Sequence, residues 1–184
     1  MGKYFGTDGF RGEAGVTLTA EQAYRVGLIL GYLYGREKGK CRAVLGKDTR
    51  LSSYMLEYAL ASGLTAAGAD AYILHVTTTP SVSYITRCDG FDCGIMISAS
   101  HNPYYDNGIK IMNGQGEKLE DSVISVIEDY LDGNFVEIPL ASGVNIGRTV
   151  DYISGRNRYI GHLISLSTCS YKGLRVGLDC ANGS

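Results

Sequence analysis

Gly94-Ile-Met-Ile-Ser-Ala-Ser-His-Asn-Pro-Tyr-Tyr-Asp-Asn-Gly-Ile-Lys110 decides how this 184-residue chain is read. An apolar run reads as a buried strand over 93–98, and it enters a loop holding hydroxyls, an imidazole, an amide and a lysine. A second apolar stretch, Ile109 to Met112, follows at once. Polar chemistry this dense between two apolar runs costs free energy unless something binds there. The connection is too short for a crossover helix, so 108–112 is expected to pair antiparallel with 93–98 at an edge of the sheet.

Moving outward, Thr19-Ala-Glu-Gln22 has capping-box spacing, and Ala23, Val26, Leu30 and Leu33 recur on one face of a first helix. A short strand at 41–45 ends in Gly46-Lys-Asp-Thr-Arg50, after which Ser52 or Ser53 caps a second helix that Gly68 stops. A strand at 70–76, a helix opened by Thr79-Pro80 and a fourth helix over 121–131 complete the unit. The alternation predicts a three-layer α/β/α domain around a mixed, mostly parallel four-stranded sheet. Over 133–150 the periodicity lapses, and a further helix (156–167) leads to a buried-strand pattern at 173–180. A lone strand has no sheet to join. The expected division is therefore a domain over 1–150, then the opening helix and strand of a second, similar domain over 151–184, in a longer polypeptide.

Composition narrows the function. The net charge of −2 with no basic cluster speaks against nucleic acid, and no apolar run is long enough to span a bilayer. Without an apolar signal segment at the start, the expected location is the cytoplasm. Five cysteines, odd in number and without a C-x-x-C pair, read as buried reduced thiols. Gly35-Arg-Glu-Lys-Gly39-Lys40 is one residue short of a P-loop, Gly114-Gln-Gly116 lacks the third dinucleotide glycine, and Ser98 and Ser100 are not in a nucleophile elbow.

The Ser100 loop reads as phosphoryl chemistry. A serine at a strand's end, with His101 beside it and Lys110 ten residues on, can carry a phosphate whose charge those donors offset. Lys110 can move a proton to or from a hydroxyl. Gly6-Thr-Asp-Gly-Phe-Arg11-Gly12 presents a guanidinium from a glycine-rich loop as a phosphate clamp, and Gly46-Lys-Asp-Thr-Arg50 lies where α/β sheets place ligands. The plain alternative is a capped loop in which Ser98, Ser100 and Asn102 bond the backbone and Lys110 is solvated.

Four segments together, Tyr4 to Gly12, Gly46 to Ser53, Ile97-Ser-Ala-Ser-His-Asn-Pro103 with Asp106-Asn-Gly-Ile-Lys110, and Leu178-Asp-Cys-Ala-Asn-Gly183, resemble the α-D-phosphohexomutase family in its own order. The first motif starts almost at the initiator methionine, which is most similar to bacterial members acting on glucosamine phosphate. The resemblance implies interconversion of glucosamine 6-phosphate and glucosamine 1-phosphate, on the route to UDP-N-acetylglucosamine and cell wall, through a bisphosphorylated sugar. It implies Ser100 as the phosphoserine and as a ligand to Mg2+, His101 and Arg11 supporting the transferring group, and Lys110 as general acid/base. The magnesium-binding aspartates and sugar clamps of the family are absent from this chain, which is expected to be inactive alone. Mannose or glucose phosphate as substrate, and a non-catalytic phosphate-binding module, are the alternatives; oligomeric state is not legible.

Overall fold

The computed structural model describes residues 2–7, 9–134 and 137–180. Strands β1 (Phe5–Gly6), β2 (Gly9–Glu13), β3 (Arg42–Lys47), β4 (Asp70–Val76), β5 (Cys93–Ile97), β6 (Asp106–Asn113) and β7 (Thr149–Asp151) form one sheet in the order β1-β2-β6-β5-β3-β4-β7. Helices α1 (Ala20–Lys38), α2 (Leu51–Ala66), α3 (Thr79–Cys88), α4 (Asp121–Leu131) and α5 (Ile153–Ser165) cover its two faces. The larger core joins Ala43, Leu45, Ile95, Ile97, Ile109 and Ile111 to α1, α2 and α4. The smaller one sets Val44, Met96 and Met112 against Val82 and Ile85 of α3, with Tyr159 of α5 packed on it. This is the three-layer α/β/α arrangement.

The sheet has seven strands where four were expected. The glycine-rich segment read as a loop forms β1 and β2, and β2 pairs antiparallel with β6 from Phe10 opposite Ile109 to Glu13 opposite Asp106. Strand β6 is antiparallel to β5, as expected, but lies inside the sheet. Parallel pairing holds for β5, β3, β4 and β7, so the parallel and antiparallel ladders are three each. Strand β7 arises in the segment whose periodicity lapses; its three residues pair with Ala71 to Ile73 of β4. Residues 173–180 form no strand, and Leu174, Val176 and Leu178 are 67%, 76% and 86% exposed.

Local chemistry fixes the helix ends. Thr19 and Gln22 form the expected capping box, with Gln22 N–H donating to Thr19 Oγ1 at 3.2 Å and Thr19 N–H to Gln22 Oε1 at 2.9 Å. Helix α2 instead begins at Leu51 with Arg50 as its N-cap and no side-chain cap, because Ser52 and Ser53 serve the loop described below. None of the five cysteines is in a disulfide, but only Cys41 and Cys93 are buried; Cys88, Cys169 and Cys180 are exposed. Among the described residues no helix is long and apolar enough to cross a membrane.

The N-terminal hairpin is anchored by one carboxylate. Glu128 Oε1 on α4 accepts the backbone N–H of Tyr4 at 2.7 Å and of Phe5 at 2.8 Å. Burial works against ionisation of Glu128, but the amides of Phe5, Tyr4 and Lys3 outweigh it and hold its carboxyl below the usual range. A depressed carboxyl pKa adds stability that is full above the unfolded value, about 4.3, and fades as pH falls through the lower folded value. Glu128→Ala is expected to lower unfolding free energy by about 1–2 kcal/mol at neutral pH. Urea titrations at pH 7 and pH 3 check this: the gap between parent and variant should shrink at the lower pH.

Candidate functional site

Ser100 lies between the end of β5 and the start of β6, with φ of 57°. That left-handed backbone costs a non-glycine residue roughly 1–2 kcal/mol, so the surroundings must impose it. Part of the constraint is local. Ser100 N–H donates to Ser98 Oγ at 3.0 Å, Asn102 N–H to the Ala99 carbonyl at 3.1 Å, and Asp106 N–H to the Pro103 carbonyl at 3.1 Å.

Arg50 supplies the rest from beneath. Its Nη2 donates to the carbonyls of Ser100 at 2.8 Å and Asn102 at 2.9 Å; its Nη1 donates to those of Asp106 at 3.0 Å and Pro103. Its Nε donates to Asp48 Oδ2 at 2.9 Å, and Asp48 Oδ1 accepts the Ser53 hydroxyl at 2.7 Å. Asn107, fully buried at the root of β6, donates its amide to the hydroxyls of Ser52 (2.8 Å) and Ser53 (2.9 Å). Its own Oδ1 accepts Gly108 N–H at 2.8 Å. The start of α2, the end of β3 and the Ser100 loop are thereby one hydrogen-bonded block.

Arg11 reaches this block from β2, where it pairs opposite Gly108. Its Nη1 donates to Asn102 Oδ1 at 3.1 Å, and Asn102 Nδ2 donates to Asp106 Oδ2 at 3.0 Å. Lys110, half-buried on β6 opposite Met96, is two residues from Gly108, so it shares the α3-side face of the sheet with Arg11. His101 is exposed beside Ser100, and the exposed rings of Tyr104 and Tyr105 meet edge to face at 5.4 Å.

The segment Gly46 to Arg50 departs from the expected phosphate loop. Lys47 follows Ala43 and Leu45 onto the opposite face, where it ion-pairs with Glu57 of α2 and lies 4.5 Å from the centre of the Tyr54 ring. Arg50 is engaged by loop carbonyls. Sequence reasoning therefore missed Arg50, Asp48 and Asn107 as the frame of the loop. The available signal was an Asp and an Arg two residues apart at a buried strand's end, beside two serines. Asp8 of the first motif and residues 181–183 of the last lie outside the described residues.

The donor set bears on a metal. Among the described residues no group of three or more His, Cys, Asp or Glu could hold one. Asp48 binds Arg50 and Ser53 with both oxygens, and Asp106 Oδ2 accepts from Asn102.

The pinned serine loop thus sits at the end of a parallel strand in a three-layer α/β/α unit. Residues 2–136 match the family described as phosphoglucomutase/phosphomannomutase, alpha/beta/alpha domain I, and the chain belongs to that family. It is 68% identical over its whole length to a phosphoglucosamine mutase of Lachnoclostridium phytofermentans and 66% identical to one of Lachnospira eligens. It spans 41% of the length of each. A crystal structure of a phosphoglucomutase/phosphomannomutase family protein from Burkholderia thailandensis superposes with a TM-score of 0.71 at 27% identity, covering 88% of this chain and 35% of that one.

Gly108 is where the block and Arg11 meet most closely. A Cβ there would lie 2.8 Å from the Ser98 carbonyl oxygen and 3.2 Å from Arg11 Cγ. Gly108→Ala is expected to lower unfolding free energy by about 1–3 kcal/mol through this overpacking. Urea denaturation measures it; an unchanged midpoint would mean that Arg11 and the Ser98 carbonyl yield freely.

Proposed function

We propose that the polypeptide containing this chain is a phosphoglucosamine mutase that interconverts glucosamine 6-phosphate and glucosamine 1-phosphate, in the cytoplasm, with Ser100 as its phosphoryl carrier. The observation that carries the reading is the Ser100 loop, held in a left-handed conformation at a strand's end with the Arg11 guanidinium bonded into it. The names of the two bacterial relatives support the sugar.

In this reading phosphoserine 100 gives its phosphoryl group to the free hydroxyl of the sugar phosphate. The P–O bond to Ser100 breaks as the bond to sugar oxygen forms, and the leaving oxygen stays on the serine. The bisphosphorylated sugar then turns over and returns its other phosphoryl group to Ser100, restoring the carrier. Such transfer depends on alignment and charge neutralisation more than on covalent activation. Lys110 takes the proton from the attacking hydroxyl and returns one to the leaving hydroxyl on the reverse transfer. Arg11 and His101 offset the charge on the transferring group. Family membership implies a divalent cation; we take it to be Mg2+, bound through the Ser100 phosphate and aspartates beyond this chain, where it supplies further charge neutralisation.

We take residues 1–150 as the body of the first domain and 151–184 as leading into a second one, although the end of β7 and helix α5 still pack on the first; the remaining domains are then this chain's partners and supply the sugar contacts. The chain alone is accordingly inactive. Ser100→Ala in the full-length enzyme is expected to reduce turnover of glucosamine phosphate more than about 10³-fold, the scale of losing a covalent carrier. Peptide mapping by mass spectrometry of the parent should place the phosphoryl group on Ser100. Ordinary activity in the variant would end the assignment.

A further inference from the structure

We infer that Arg50 is a positioning residue for phosphoryl transfer: it draws the loop carbonyls inward and so turns the amides of His101 and Tyr104 outward as donors to the phosphate on Ser100. The inference deepens the mutase reading and rests on it.

A guanidinium has five N–H donors in a fixed fork. Here the fork meets five acceptors: Asp48 Oδ2 and the carbonyls of Ser100, Asn102, Pro103 and Asp106. Arg50 is 4% exposed, and its charge is balanced by the fully buried Asp48. With its donors engaged and no surface of its own, Arg50 does not reach a substrate phosphate. Its effect passes through the loop.

That effect follows from peptide geometry. Among the described residues no peptide bond is cis, so each carbonyl points opposite to the N–H of the same unit. With the Ser100 carbonyl drawn to Arg50, the His101 N–H points away from it. With the Pro103 carbonyl drawn in, the Tyr104 N–H does likewise. Among the described residues neither amide donates to a backbone carbonyl. Outward amides beside a left-handed residue form a concavity suited to an anion, and Ser100 is that residue. Lysine at position 50 has three donors and no fork, so it cannot hold four carbonyls and a carboxylate together.

The test uses the full-length enzyme carrying phosphate on Ser100, with Arg50→Lys and Asp48→Asn as variants and Ser100→Ala as reference. Arg50→Lys is expected to lower kcat about 100-fold, the cost of a displacement of roughly 1 Å, with KM within about threefold of the parent. In 31P NMR titrations the parent phosphoserine should titrate below about 6, the value for an unassisted phosphoserine, and the Arg50→Lys phosphoserine near it. Unfolded protein would also lower kcat and titrate near that value, so the reading counts only for a variant that circular dichroism shows to be folded. Should Arg50→Lys fail to fold by circular dichroism, Asp48→Asn decides, with an expected tenfold fall in kcat and a titration between the two. A kcat within threefold of the parent, or an unmoved 31P titration, in the deciding variant overturns the inference. If Ser100→Ala itself turns over normally, the mutase reading fails, and that result is distinct from Arg50 failing alone.

Discussion

The site depends on one buried cation under one loop. Four carbonyl oxygens converging on a point repel one another, and only a positive charge with spread donors makes the arrangement stable. Arg50 supplies it, and Asp48 supplies the counter-charge at two residues' distance along the chain. Neither group tolerates loss of the other, because each would be left as an uncompensated charge away from water. Such a pair is weak evidence of net stability; what the contacts show is that one guanidinium ties four loop carbonyls to one carboxylate. Ser100 takes its left-handed φ within the loop so tied.

A second buried ion pair lies next to the first along the chain. Lys47 and Glu57 lie on the α1 and α2 side of the sheet, and Asp48, just past the end of β3, bonds the Ser53 hydroxyl at the start of the same helix α2. The Lys47–Glu57 contact fixes the rotation of α2 against β3, since Glu57 lies near two turns beyond the helix start. That rotation in turn sets where Ser52 and Ser53 present their hydroxyls to Asn107. Lys47, Asp48 and Arg50 at one strand end thus hold a helix, a loop and a neighbouring strand in register. Such coupling explains why a segment rich in Lys, Asp and Arg is almost wholly buried.

The parts of the fold that are legible in the sequence are those decided locally. The capping box at Thr19, the proline at the start of α3 and the 121–131 helix follow from hydrogen bonding and periodicity within a few residues. Strands β2 and β7 are not legible, because neither has an apolar alternation of its own: Gly9-Phe-Arg-Gly-Glu13 becomes a strand only when β6 offers it a ladder. The residues around Ser100 are visible as an unusual polar density, and their placement near Arg11 follows. What the sequence conceals is direction. Lys47 and Arg50 look alike as surface cations beside a ligand, and only the alternation of β3 and the closure of the loop turn both inward.

The same distinction governs 173–180. Leu174, Val176 and Leu178 carry the two-residue period of a strand, yet they stand exposed in irregular backbone. A strand is a property of a pair, since its backbone donors and its apolar face both need a neighbour. The edges of this sheet are two short strands, β1 with two residues and β7 with three, and 173–180 pairs with neither. The apolar period of 173–180 is thus present in the sequence without the pairing that would make it a strand.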